Sequence, residues 1–152
     1  MKLGAGGVTT VDVRYCTDPM WPGIVQVQIV GLVLDSALLQ FWAALQTPLG
    51  AAALVSIFDF RRAVVAYRNP PRLVPGAPQQ KPGAFLCGPD QYELLVHRAA
   101  QLSDLGVRRA VFCSELLALE WAREEAHRID RQSRDTPPAL PHQRSVPVGP
   151  CP

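Results

Sequence analysis

The sequence predicts an α/β fold: a single small mixed sheet of about four to five strands, with an N-terminal antiparallel pair, then parallel strands, and helices packed mainly on one face. Apolar and polar residues alternate over 11–15 and 24–30, as in half-buried strands. The continuous apolar run 51–58 is typical of a strand covered on both faces. Two further apolar runs, 84–87 and 107–113, each precede a helical pattern, and right-handed crossovers place such helices on a common face.

The first half of the chain has recognisable turn and cap residues. Proline and glycine separate the first two strands, so these strands are predicted to pair antiparallel. Asp35 or Ser36 can cap the next helix, because a short polar side chain accepts hydrogen bonds from free helical N–H groups. Pro48 and Gly50 are expected to end that helix. Its apolar stripe has helical spacing, at Leu38, Phe41, Trp42 and Leu45.

The second half is predicted to contain two strand–helix units after a loop. Residues 63–68 fit either a helix or a strand, and five prolines make 69–83 a loop. The first helix should begin near Pro89 and end at Gly106, and the second should follow Ser114 and run to about 131. Their apolar stripes are predicted to be Tyr92, Leu95, Val96, Ala99 and Leu102, and then Leu117, Ala118, Trp121, Ala122 and Ile129.

Length and composition indicate one domain with flexible ends. We predict a flexible N-terminus over 1–10, a domain over 11–131 and a disordered proline-rich tail over 132–152. A net charge of +2 in 152 residues argues against a nucleic-acid partner, which usually needs a concentrated basic face. The N-terminus has no apolar signal segment, and polar residues interrupt the longest apolar stretch. A cytoplasmic location without a membrane span is therefore expected.

Cys87 and Cys113 are the candidate reactive thiols. Each follows a predicted strand and precedes a predicted helix, a position where the helix N-terminus lowers the pKa of a thiol. If their strands are neighbours, the two thiols lie close together. The alternative, which we favour from the sequence, is that both are small buried apolar residues.

Three other residues are candidate contacts for a partner: Trp21, Arg61 and Arg62. Trp21 lies in a turn, where it either meets a partner or covers the edge of the sheet. The arginines either bind a phosphate or acidic group or belong to a solvated loop. No second carboxylate, histidine or lysine lies at a recognisable sequence spacing from Asp59, so a structural role is favoured over catalysis. The histidines show no metal-ligand spacing, and we expect neither a metal nor a cofactor.

Three stretches of core residues, 29–35, 54–61 and 106–122, resemble the STAS and SEC14-like group, bacterial relatives of the sporulation anti-sigma-factor antagonist. They comprise a strand with a glycine before a helix cap, an apolar strand closed by Asp59, and a closing strand followed by a helix. The resemblance covers about 11–128 and implies a domain that binds proteins, or sometimes an apolar ligand, without catalysis. Phosphoswitch members carry a Ser or Thr after the central strand. This chain has none between Ser56 and Ser103.

The sequence therefore supports one leading function and two alternatives. The leading hypothesis is a regulatory or protein-binding module rather than an enzyme, with another protein or a second copy of the chain as its partner. The first alternative is a protein that binds an apolar small molecule between its helices and sheet. The second is a thiol-dependent enzyme that uses Cys87 or Cys113.

Overall fold

The computed structural model describes residues 10–15, 23–33, 47–66 and 81–136. These ranges contain β1 (Thr10–Tyr15), β2 (Ile24–Val33), α1 (Pro48–Ala52), β3 (Val55–Val65), β4 (Gly83–Leu86), α2 (Tyr92–Asp104), β5 (Arg109–Phe112) and α3 (Glu115–Asp135). The predicted α/β class is confirmed. The helix predicted around Leu38–Leu45 and most of the loop 69–83 lie outside the described residues.

The strands form one sheet in the order β1-β2-β3-β4-β5, so neighbours in the sheet are also consecutive in the chain. Strand β1 pairs antiparallel with β2, with Val13 opposite Val27. Strands β2 to β5 run parallel, and Val27, Phe58, Phe85 and Val111 lie side by side across them. The parallel part has its carboxyl ends at one edge, where ligands of open α/β sheets usually bind.

One face of the sheet, here called the phenylalanine face, packs against α2. Phe85 of β4 contacts both aromatic residues of β3 edge to face, at 5.8 Å between ring centroids for Phe58 and 5.5 Å for Phe60. Beside these rings lie the apolar residues of β2, and α2 covers the cluster with Leu95, Ala99 and Leu102. Edge-to-face pairs of this kind add about 1 kcal/mol to the stabilisation from buried area alone.

Arg109 closes the phenylalanine face at the amino end of β5. Its guanidinium carbon lies 5.3 Å from the ring centroid of Phe58 and 5.9 Å from that of Phe85. One of its Nη atoms donates hydrogen bonds to the carbonyl oxygens of Lys81 and Arg108. Burial lowers the pKa of Arg109 to about 10. Contact with ring faces and carbonyls offsets part of the cost of burying this cation.

The opposite face, here called the α3 face, packs against the last helix. Val55 and Ile57 of β3 lie beside Ala84 and Leu86 of β4, and α3 approaches them with Ala118, Ala122 and Ala126. Small side chains bring the helix close to the sheet. At the margin, the ring centroids of Phe112 and Trp121 are 6.3 Å apart.

The prediction that the helices pack mainly on one face is wrong for the described helices, because α2 and α3 cover opposite faces. Right-handed crossover constrains only a helix that joins two parallel strands. Helix α2 joins the parallel strands β4 and β5, so the constraint applies to it. Helix α3 follows the last strand, so it is free to cover the other apolar face of the sheet.

The central strand begins later and ends later than the sequence predicts. Ala51 and Ala52 belong to α1, and the strand starts at Val55. Pro48 begins this short helix rather than ending one, because the Thr47 hydroxyl accepts a hydrogen bond from the Gly50 N–H at 3.4 Å and proline needs no donor there. The strand continues to Val65, so residues 63–65 are strand and Asp59 does not close it.

The helix stripes are confirmed only in part. In α2, Leu95, Ala99 and Leu102 are buried as predicted, whereas Tyr92 is 43% exposed and Val96 is 40% exposed. Arg98 is buried on this helix, a position where periodicity alone assigns a polar residue to solvent. Helix α2 is amphipathic, but its apolar stripe is wider than the surface that the sheet covers, so some apolar side chains stay exposed.

Helix α3 differs from its prediction in two ways. Leu117 is 51% exposed, although its spacing placed it in the core. The helix also continues to Asp135, so residues 132–135 are helical and not part of a disordered tail. An ion pair between Arg134 and Asp130 at 2.9 Å, one helical turn apart, supports this last turn.

A β-bulge interrupts β3 just after Asp59. Two steps along β2, from Gln28 to Val30, correspond to three steps along β3, from Asp59 to Arg62. The side chain of Gln91, at the start of α2, donates hydrogen bonds to the carbonyl oxygens of Phe60 (2.8 Å) and Ala63, on either side of the extra residue. Its own oxygen accepts from the Gly88 N–H at 3.1 Å. Gln91 thereby satisfies buried backbone groups that the irregular ladder leaves available.

We predict that Gly106→Ala destabilises the fold by about 1 kcal/mol, because Gly106 has φ of +84° after α2, a conformation that costs residues with a Cβ. An added Cβ meets no atom within 4 Å, so the cost is purely conformational. Urea unfolding measures it. Gly106→Asn should cost less, since asparagine tolerates this conformation, and equal losses for both variants contradict the explanation.

Candidate functional site

Asp59, Cys87 and Cys113 lie level with, or just beyond, the carboxyl ends of β4 and β5, with Asp59 on the α3 face and Cys87 in the phenylalanine face. Asp59 is paired with Leu86, the last residue of β4, which is in turn paired with Phe112, the last residue of β5. Cys87 and Cys113 follow these two last residues directly. This edge therefore holds a carboxylate and two thiols, in the place where α/β proteins usually build sites.

Asp59 is the centre of a charged cluster on the α3 face. Its side chain is 3% exposed and accepts two hydrogen bonds from the Arg61 guanidinium, at 2.9 Å from Nε and 2.7 Å from Nη2. The Arg61 N–H also donates to Asp59 at 3.1 Å, and Gln26 donates at 3.4 Å. The same Nη2 of Arg61 reaches the Glu115 carboxylate at 3.1 Å, at the first residue of α3.

The charges in this cluster compensate each other. Burial raises the pKa of Asp59, but the hydrogen bonds and charge of Arg61, helped by Gln26, outweigh it and hold this pKa below its ordinary value of 3.8. Asp59 and Glu115 in turn raise the pKa of Arg61. Asp59 is therefore an ionised anchor for Arg61 at neutral pH, which is a poor arrangement for a general base.

The two arginines predicted as partner contacts differ in environment. Arg61 is bound on both sides by carboxylates, with its side chain 40% exposed. Arg62, the next residue, is exposed. Trp21, the third predicted contact, lies outside the described residues.

The structure brings Cys87 and Cys113 together across adjacent strands. Cys87 is 1% exposed, and its N–H donates to the Phe112 carbonyl oxygen at 3.0 Å. Its thiol lies 3.7 Å from the same oxygen. Cys113 is exposed, and both thiols are free.

Burial raises the pKa of the Cys87 thiol to about 12, and the neighbouring Cys113 and the charge of Asp90 add to the effect. The reactive-thiol interpretation of the sequence, which was not the favoured one, expected a lowered pKa at a helix N-terminus. For Cys87 the direction is opposite, because α2 begins only at Tyr92 and the thiol lies in the apolar core instead. The reactivity of the two thiols stays a prediction.

Two leucines at the start of α3 were missed as candidate surface residues. Leu116 is 62% exposed and Leu117 is 51% exposed, and both follow Glu115 directly. Helical spacing assigned Leu117 to the core, but the contact with the sheet begins only at Ala118. Three consecutive non-polar residues, as at 116–118, cannot all face one side of a helix. This pattern alone indicates that one of them or more is exposed.

A separate cleft of about 400 Å³ opens at the opposite, amino edge of the sheet. It is lined by Ala51, Ala52, Ala53, Leu54, Lys81, Pro82 and Ile129. The Lys81 ammonium donates to the Ala51 carbonyl oxygen at 2.6 Å, and burial lowers the pKa of this lysine. The cleft is mostly apolar with one cation at its margin.

Within ranges 10–15, 23–33, 47–66 and 81–136, no group of three or more histidine, cysteine, aspartate or glutamate side chains could hold a metal ion. Nor does any helix in the described part of the chain have the length and apolar character needed to cross a membrane. Compared with models of known protein families, with curated proteins and with solved structures, the chain gives no match.

We predict that Arg61→Met reverses the pH dependence that Asp59 contributes to stability. In the unsubstituted chain the folded pKa of Asp59 is lowered, so its contribution is complete above 3.8 and is lost as the pH falls through the folded pKa. Without the guanidinium, only the backbone N–H of residue 61 and Gln26 oppose the effect of burial, and the folded pKa rises. The variant then loses about 2 kcal/mol at neutral pH and regains stability as the pH falls towards 3.8.

Urea unfolding as a function of pH, with NMR titration of the Asp59 carboxyl, measures both effects. Arg62→Met is the matched control, because Arg62 is exposed and should change stability by less than about 0.5 kcal/mol. An Asp59 pKa that stays below 3.8 in Arg61→Met would show that Arg61 does not set it.

Proposed function

We propose that this chain is a regulatory, protein-binding module of the STAS-like type, and that its contact surface lies at the start of α3. This α3 start surface consists of Arg61, Glu115, Leu116 and Leu117. The observation that carries the proposal is the pair of exposed leucines directly after Glu115, whose carboxylate bonds an arginine that Asp59 also holds. Apolar side chains bordered by charged groups are typical of specific interfaces.

The leucines supply the affinity that such a surface needs. Burying a leucine side chain fully is worth about 2 kcal/mol. Leu116 and Leu117 are adjacent on the first turn of α3, so one partner groove can cover both. In the free chain they gain little from the fold, because the sheet contacts begin at Ala118.

Arg61 orients a bound partner on the same surface. Its guanidinium is already bound by the buried Asp59 carboxylate, so little side-chain freedom remains to be lost when a partner binds. Glu115, with its side chain 57% exposed, presents the opposite charge beside it. A matching partner carries an apolar groove with an acidic and a basic group at its rim.

The order of elements supports the STAS-like part of the proposal. An initial strand pair, the apolar strand β3, and the units β4–α2 and β5–α3 follow one another in the chain, as the resemblance implies. The helix that the resemblance places before β3 lies outside the described residues, and Asp59 does not end β3. No Ser or Thr occurs between Ser56 and Ser103, so control by phosphorylation after the central strand does not fit this chain. Regulation by partner binding at another surface, the α3 start, does fit.

A photo-crosslinking amino acid at position 116, expressed in the source cells, tests this surface. The same group at position 105 is the matched control, because Leu105 is 47% exposed but lies after α2. We expect an adduct from position 116 and none from position 105. The identified protein is then purified for binding measurements, and sedimentation of the chain alone tests whether the partner is a second copy.

Replacing both leucines (Leu116→Ser with Leu117→Ser) should weaken binding of that purified partner by more than about tenfold, or 1.4 kcal/mol. Leu105→Ser should leave the dissociation constant unchanged. Equal adduct yields at the two positions, or unchanged binding by the double variant, would contradict the proposal.

A second candidate function, binding of an apolar small molecule, is supported by the cleft between α1 and α3. Its volume of about 400 Å³ is within the range of ligand sites. The ammonium of Lys81 at its margin suits a ligand with an acidic head group.

An aromatic sulfonate dye that fluoresces in apolar surroundings tests the cleft. We expect saturable binding that is lost in Ala52→Trp, where the new ring fills the cleft. Ala100→Trp, at an exposed position on α2, is the control and should bind the dye normally. Dye binding that is not saturable, or that survives in Ala52→Trp, argues against a ligand site here.

A further inference from the structure

Cys87 and Cys113 have the placement that a disulfide requires. Leu86 and Phe112 are paired neighbours in the parallel ladder, and the two cysteines are the next residues on their strands. The hydrogen bond from the Cys87 N–H to the Phe112 carbonyl oxygen, 3.0 Å long, continues the ladder to this level. Adjacent strands lie about 4.8 Å apart, and a disulfide needs Cα atoms about 4.4 to 6.8 Å apart.

The two side chains also point to the same side of the sheet. Cys87 packs in the phenylalanine face, whereas Phe112 packs against the α3 face. Successive residues of a strand alternate between faces, and that alternation, continued one residue past the end of β5, turns Cys113 towards the side of Cys87. Cys113 is also one of the neighbouring groups that raise the pKa of Cys87, in keeping with this placement.

We propose that Cys87 and Cys113 form a reversible disulfide, and that Cys113 is the thiol that a peroxide oxidises first. The exposures of the two residues determine which thiol is oxidised first. Cys113 is exposed, whereas Cys87 is 1% exposed and lies beneath it. A dissolved oxidant therefore reaches Cys113 first, and Cys87 is the resolving thiol.

The reaction balances in two steps. The Cys113 sulfur attacks one oxygen of hydrogen peroxide and the O–O bond breaks, which gives a sulfenic acid on Cys113 and one water. The Cys87 sulfur then attacks the Cys113 sulfur, and the S–O bond breaks. The hydroxyl leaves with the proton of the Cys87 thiol as a second water. The two thiols lose two electrons, and the peroxide gains them.

The high pKa of Cys87 has a defined part in the second step. As an isolated thiol it would be a slow nucleophile, because burial keeps it protonated. Cys87 reacts only after Cys113 carries the hydroxyl, which leaves with the Cys87 proton as water. The bond closes a loop that contains the whole of α2 and stabilises the fold chiefly by restricting the unfolded chain.

The experiment treats the full chain with hydrogen peroxide and maps the cysteines by mass spectrometry. We expect a peptide pair linked through Cys87 and Cys113, the loss of two hydrogen atoms from the intact mass, and reversal by dithiothreitol. The map of the unsubstituted chain distinguishes this link from links to Cys16 or Cys151. Treatment in urea should abolish the preference for this pair, because the fold brings the sulfurs together.

Two variants test the order of oxidation. In Cys87→Ser, the sulfenic acid on Cys113 should accumulate and be trapped by dimedone. In Cys113→Ser, Cys87 should remain a free thiol under the same treatment. The proposal is overturned if dimedone traps Cys113 equally in the unsubstituted chain and in Cys87→Ser, or if Cys113 links to a cysteine other than Cys87. Circular dichroism checks that both variants fold. If either variant does not fold, the cysteine map of the unsubstituted chain decides whether Cys87 and Cys113 are linked.

Discussion

Burial of β3 on both faces is the constraint on which the rest of the described structure depends. The strand contributes Phe58 and Phe60 to the phenylalanine face, and Val55 and Ile57 to the α3 face. Each face needs its own helix, which α2 and α3 provide. A polar group on such a strand must find its partners inside the protein, because water does not reach it. Asp59 is the buried charged group on this strand, and the guanidinium of Arg61 is its main partner.

The bulge after Asp59 connects this core to the candidate surface. At the bulge, which adds one residue to β3, the side chain of Arg61 folds back to bond Asp59. The same guanidinium also bonds Glu115 at the start of α3. Gln91 bonds the carbonyl oxygens around the bulge from the side of α2. Both helices are therefore tied to the same short segment of β3. The exposed leucines at the start of α3 directly follow Glu115, the residue that bonds this segment.

The thiol pair lies at the same edge of the sheet, but its placement depends on strand pairing and burial rather than on charge. Neighbouring parallel strands place Cys87 and Cys113 at one level, and burial separates their roles by making one accessible and the other not. The sequence located both residues at strand ends but could not show that the strands are adjacent. The charged cluster was harder to foresee, because Gln26, Asp59 and Glu115 come from three separate elements. No local pattern reports contacts between residues so far apart in the chain.

The sequence by itself determined the α/β class, the order of the main strands and helices within the described ranges, and the caps at Gly106 and Ser114, because periodicity and cap chemistry are local properties. Only the tertiary structure decided which face each helix covers, where β3 begins and ends, and that Leu117 is exposed while Arg98 is buried. These outcomes depend on how far a neighbouring element extends over a surface. Such coverage is a property of the assembled sheet and helices, not of any single segment.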